Sequence, residues 1–169
     1  MNTARTLAGI SLAGIVGITV LAPATAHAAT GPDAQETRSA QAAAPAKWGP
    51  HHAPGRRARA SGSLTATPKD DPGAPAPRVT VTGSVTDLTR GPACGWAVFR
   101  VSVKETGGDV SLKHRSYRTC SYGKPVKFSF THAGVYEVEL KVCAEARASK
   151  PSVGCLYAGT WKPLYTYYA

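Results

Sequence analysis

Lys124-Pro-Val-Lys-Phe-Ser-Phe-Thr-His-Ala-Gly-Val-Tyr-Glu-Val-Glu-Leu-Lys-Val-Cys143 decides the fold. Val126, Phe128 and Phe130 alternate with Lys127, Ser129 and Thr131, so one face is apolar and the other wet. After His132-Ala133-Gly134 the alternation resumes, with Tyr136, Val138, Leu140 and Val142 facing one way and Glu137, Glu139 and Lys141 the other. Period-two alternation over this length reads as half-buried β-strand and not as helix. The expectation is two strands meeting at a tight corner.

The same pattern extends on both sides. Val79, Val81 and Val85 alternate with threonines, predicting a first strand over Val79–Thr86. Ala97, Phe99, Val101 and Val103 form an inward face, opposed by Trp96, Arg100, Ser102 and Lys104. The return over Val110–Thr119 is more polar and reads as an edge strand, where charge discourages aggregation. A last strand is expected near Gly154–Trp161, with Leu164–Tyr168 as a further edge or a loose tail. No stretch carries helical periodicity. Six or seven short strands at this spacing predict an all-β, small antiparallel immunoglobulin-like sandwich over residues 78–169.

All four cysteines fall in that region. An even count in an exported chain reads as disulfides before metal or redox chemistry. Cys94 and Cys120 are symmetric about the turn Glu105–Asp109, and Cys143 and Cys155 about Ala148–Ser152. Each pair would face across its own hairpin, where Cα atoms lie roughly 4.5–5.5 Å apart and can be bridged. The expected pairs are Cys94–Cys120 and Cys143–Cys155. Counted from Tyr136, Cys143 shares the side of Glu137 and Glu139, and Cys94 the side of Trp96 and Arg100. The disulfides would then be surface staples and not a bridge between sheets.

The N-terminus reads as a general secretory signal peptide, residues 1–28. Arg5 supplies positive charge, Leu7 to Leu21 is apolar, and Ala26-His27-Ala28 offers small residues for cleavage after Ala28. No cysteine follows for a lipid anchor, and no later apolar run is long enough to span a bilayer. The expected product is secreted and extracellular. Residues 29–77 are rich in Ala, Pro, Gly, Ser and Thr and lack a sustained apolar period, so they read as a disordered linker or pro-segment. Within them, Gly55-Arg56-Arg57-Ala58-Arg59 is either a processing site or basic linker, and His51-His52 is too short for a metal site.

Phe130-Thr131-His132-Ala133-Gly134-Val135-Tyr136-Glu137-Val138-Glu139-Leu140-Lys141-Val142 resembles the end of a PKD-type or related immunoglobulin-like domain. There too a Gly corner and a Tyr lead into alternating Val and Leu. The resemblance implies a binding or spacer module. Usage of Ala, Arg, Gly and Pro is similar to that of actinobacterial secreted proteins.

Chemistry is sparse. A serine hydrolase needs His and a carboxylate around a nucleophile elbow, and no Gly-x-Ser-x-Gly occurs. Glu137 and Glu139 are neighbours on one strand face and read as cross-strand ion-pair partners. His132 reads as a turn residue, and His114 is the other histidine of the predicted domain. No phosphate loop, zinc spacing or calcium loop is present, and no cofactor is expected. The formal net charge is +10, which draws an exported protein towards polyanions. By parity, Trp96, Arg100, Arg118, Tyr157 and Trp161 share a non-core face. Aromatics interleaved with Arg stack on sugars or anchor protein partners; the alternative is that Trp96 and Trp161 cover the disulfides. The expectation is a non-enzymatic binding module for cell-surface polysaccharide, another polyanion or an acidic protein. The alternative is a proteinase inhibitor presenting Ser149-Lys150-Pro151-Ser152, a loop held at its base by Cys143–Cys155.

Overall fold

The computed structural model describes residues 43–168, so the expected signal peptide and its cleavage site lie outside the described residues. The strands are β1 (Ala46–His52), β2 (Ala58–Ala66), β3 (Ala76–Asp87), β4 (Ala93–Lys104), β5 (Val110–Thr119), β6 (Pro125–Ala146) and β7 (Lys162–Thr166). A 3-10 turn at Pro54–Arg56 joins β1 to β2, and one short helix, α1 (Val153–Tyr157), precedes β7. All strand pairs are antiparallel, in the order β1-β2-β3-β6-β4-β5 with β7 on the other side of β6. The all-β expectation holds, and β5 is the edge strand that its charge predicted.

β6 is the seam. Its first half pairs with β3 from Thr86↔Pro125 to Ala76↔Val135. Its second half pairs with β4 from Val103↔Val135 to Ala93↔Ala146. The expected corner between two strands is therefore a bend within one continuous strand. Gly134 makes it, at φ +60, where any other residue would be strained. A register shift follows at once: Ser102 faces Glu137 while Val103 faces Val135. This extra residue moves Tyr136 out of the core, where the alternation had placed it. Val135 is buried in its stead, and Tyr136 meets Tyr167 edge-on at 5.1 Å.

The bend folds the sheet into two layers. β1, β2, β3 and the first half of β6 form one; β5, β4, the second half of β6 and β7 form the other. Between them lie Val79, Val81, Val85, Phe99, Val101, Val138 and Leu140, all essentially without solvent contact. Phe99 of β4 is the hub, with ring centroids of Trp48, Phe128 and Phe130 at 6.1, 5.3 and 5.0 Å. Edge-to-face packing of this kind adds to the burial of apolar area. Tyr117 of β5 closes the layer by stacking on Phe128 at 4.6 Å.

Two sequence expectations are corrected. Residues 29–77 do not form a disordered stretch throughout, because β1 and β2 lie within them. Ala58, Ala60 and Leu64 point inward from β2, and Trp48 from β1. The Arg56–Arg59 run is not a linker but the entry into β2, with Ala58 fully buried. The strand expected at Gly154–Trp161 is instead α1 and its exit, and Lys162–Thr166 supplies the strand. Ser152 starts that helix by accepting a bond from the Cys155 amide at 3.1 Å. Among the described residues, no helix is long and apolar enough to cross a membrane.

Candidate binding face and groove

Both expected disulfides are present. Cys94 and Cys120 extend the β4–β5 ladder by one step beyond Gly95↔Thr119, with Cα atoms 4.1 Å apart. Cys143 pairs with Cys155 at 6.0 Å, but Cys155 sits in α1 and not across a hairpin. That second bridge ties the segment after β6 over the outer face of the second layer. A small second core results, made of Cys94, Trp96, Val98 and Cys155, with Cys120, Cys143, Leu156 and Trp161 packed on it. The disulfides are thus neither surface staples nor an inter-sheet bridge, since Cys94 and Cys155 are buried.

The predicted binding residues do share this outer face, but they do not form an open platform. Cross-strand register places Arg118, Trp96 and Cys143 in one row and His114, Arg100 and Glu139 in another four residues along. Trp96 is only 2% exposed, and the Arg118 guanidinium lies 5.3 Å from its ring centre. Arg100 donates to Glu139 at 2.6 Å and lies 4.7 Å from the Trp161 ring. The Lys141 ammonium approaches that ring at 4.4 Å and donates to the Ala158 carbonyl at 2.6 Å. Burial, then Arg100, pushes the Lys141 ammonium down from its usual range, against the pull of Glu139. The half-buried Trp161 is therefore flanked by cations, and of the predicted aromatics only Tyr157, on α1, is widely exposed, at 70%.

Of the two carboxylates expected to form cross-strand ion pairs, only Glu139 does so among the described residues. Glu139 holds Arg100, as expected of a cross-strand pair. Glu137 is pushed up, by burial first and by Glu139 second, with Arg100 opposing. Arg100 stands between His114 and Glu139 in the ladder. His132 is on neither: it packs against Phe130 on the inner side, with Nε2 buried and unbonded. Burial, then Arg115 and Lys113, lowers its pKa.

A groove that the sequence reading did not anticipate opens beside this face. Its volume is about 490 Å³. One wall is the end of β1 and the following turn, with His51, His52, Pro54 and Arg57. The other is the α1–β7 segment, with Gly154, Ala158, Gly159, Thr160 and Lys162. The floor is β6 from Leu140 to Glu145, every residue in succession. Neighbouring residues of a strand point to opposite faces, so a cavity touching six in a row meets that strand edge-on. The edge is free because β7 leaves β6 at Leu140↔Lys162. His51 is held below its usual pKa by burial, then by Lys162 and His52. No early signal marked the groove, because one of its walls belongs to residues 51–57, read as linker.

Comparison with protein-family models, with curated proteins and with solved structures finds no match to this chain.

Proposed function

We propose that this chain is an exported, non-enzymatic binding module whose partner is acidic. The observation that carries the reading is an excess of cations that the fold does not neutralise. The net charge is +10, and the carboxylates nearest those cations are already engaged. Glu139 is bonded by Arg100, Glu105 by Lys113 and Ser111, and Glu145 by Ser152. Arg57, Lys141 and Lys162 line one groove against one carboxylate, Glu145. An unneutralised basic cleft draws anions to it. Stacking on neutral polysaccharide is less well supported, since it needs an open ring face and Trp96 and Trp161 are covered. The PKD-type resemblance, which implies a binding or spacer module, points the same way. Export is supported by the signal-like N-terminus and by two disulfides in a small β domain.

Co-sedimentation of the full chain with polyglutamate resin, teichoic-acid-bearing cell wall and chitin, at low and high salt, tests the reading. Retention by the anionic supports and not by chitin, weakening with salt, supports it. Retention by chitin alone would replace it with a sugar-stacking role. The inhibitor alternative keeps one supporting observation: Lys150 is exposed on a loop closed by Cys143–Cys155 and by the Glu145–Ser152 contact. Inhibition of a trypsin-like proteinase that Lys150→Ala abolishes would establish it.

A further inference from the structure

We propose that the free edge of β6, Lys141–Ala146, accepts an extended acidic peptide of a partner protein as an added strand. The proposal rests on the acidic-partner reading above and adds the site and the mode. Strand addition needs an unpaired row of backbone donors and acceptors, room for a chain, and a reason for one chain to be preferred.

The edge meets the first need. From Lys141 onward, β6 is bonded to β4 on one side and has no strand on the other. Three other edges of the fold carry features that discourage pairing. β1 is interrupted by a register shift at Gly49-Pro50. β5 presents Lys113, His114, Arg115 and Arg118. β7 contains Pro163. Lys141–Ala146 has neither proline nor bulge. It is protected differently, by lying on the floor of a groove. A recessed edge resists sheet-to-sheet aggregation, yet remains open to a single chain.

Room and preference follow from the walls. A volume of about 490 Å³ lies in the range of ligand sites. Alternate side chains of an added strand would point to opposite walls. On one side they meet His51, His52 and Arg57; on the other, the small residues Gly154, Ala158 and Gly159 together with Thr160 and Lys162. Glu145, the acidic residue among the lining side chains, keeps its charge but is outnumbered by Arg57, Lys141 and Lys162. The favoured occupant therefore alternates carboxylate and apolar side chains.

The test is titration of the full chain with a capped hexapeptide alternating Glu and Val, read by calorimetry. Three companions accompany it: the same peptide N-methylated at alternate amides, in both phases, and a Lys/Val counterpart. Expected are binding of the Glu/Val peptide, weakening by roughly tenfold or more for at least one N-methylated phase, and no binding of the Lys/Val peptide. Arg57→Glu, on the wall contributed by residues 51–57, should weaken binding without altering the unfolding midpoint. Hydrogen exchange of the Val142–Glu145 amides should slow on binding. Equal affinity of both N-methylated peptides would overturn strand addition while leaving the acidic-partner reading intact. Retention on polyglutamate without hexapeptide binding would do the same. Binding of neither would remove both.

Discussion

Arg100 and Glu139 face each other across β4 and β6, and the guanidinium serves two partners at once. Its Nε and Nη2 reach the same carboxylate oxygen at 2.6 Å, and it lies 4.7 Å from the Trp161 ring. Glu139 is the more buried of the two, at 12% against 32% side-chain exposure. Removing its charge leaves a half-buried cation beside Lys141, whose own ammonium approaches the other partner of Arg100. Glu139→Gln is expected to cost about 1–3 kcal/mol, measured by urea denaturation. Arg100→Lys keeps the charge but loses the planar group, and a changed Trp emission spectrum should report it.

Trp48 is seated on two glycines that pair across β2 and β3. A Cβ at Gly62 would stand 2.6 Å from the Trp48 ring, and one at Gly83 2.9 Å from it, with backbone also close in both cases. Gly62→Ala and Gly83→Ala should each destabilise by about 1–3 kcal/mol or more, because a packed core has no slack. Gly91→Ala, where nothing lies within 4 Å, should stay within about 0.5 kcal/mol. Equal denaturation midpoints for all three would contradict this seating.

Stability should fall on mild acidification, and His132 should be one cause. Burial, then Arg115 and Lys113, holds its folded-state pKa below 6.5. The unfolded chain then takes up the proton first. The contribution is complete above the unfolded value and is lost as pH drops below about 6.5 towards the folded value. His51 acts in the same direction, by burial, Lys162 and His52. His132→Phe should flatten the pH profile of the melting temperature over that window, and adding His51→Phe should flatten it further.

The two disulfides should have separable effects. Their sequence separations are 12 and 26 residues, so closure of either loop contributes about 3 kcal/mol by chain entropy. Replacing Cys143 and Cys155 by Ser also unties the segment that covers Trp96. Red-shifted tryptophan emission below the main unfolding transition is expected for that variant. The corresponding Cys94 and Cys120 variant should unfold earlier but in one step, with Trp96 still covered until then.

Strands announced by large alternating side chains were legible in the chain, as β3, β4 and β6 show. β2 was not, although Ala58, Ala60, Gly62 and Leu64 alternate with Arg59, Ser61, Ser63 and Thr65. Its inward residues are small because they leave space for Trp48, and small residues carry little hydropathic signal. Parity correctly grouped Trp96, Arg100 and Arg118 on one face. It could not show that the face is covered, since that depends on where a disulfide carries the residues after Ala146. The bulge at Tyr136 was hidden too, because one extra residue leaves local composition unchanged and Val138 and Leu140 keep the inward parity the alternation gave them.

A strand shared by both layers has a bearing on the order in which the molecule can assemble. β6 is sixth of seven strands, yet it lies at the centre of the pairing order, between β3 and β4. A nascent chain that has reached β5 holds two groups of strands that no backbone pairing joins. Neither group can bury its inner face alone, so the core waits for residues 125–146 and then closes cooperatively around them. Such a chain stays pliable until its synthesis is nearly complete.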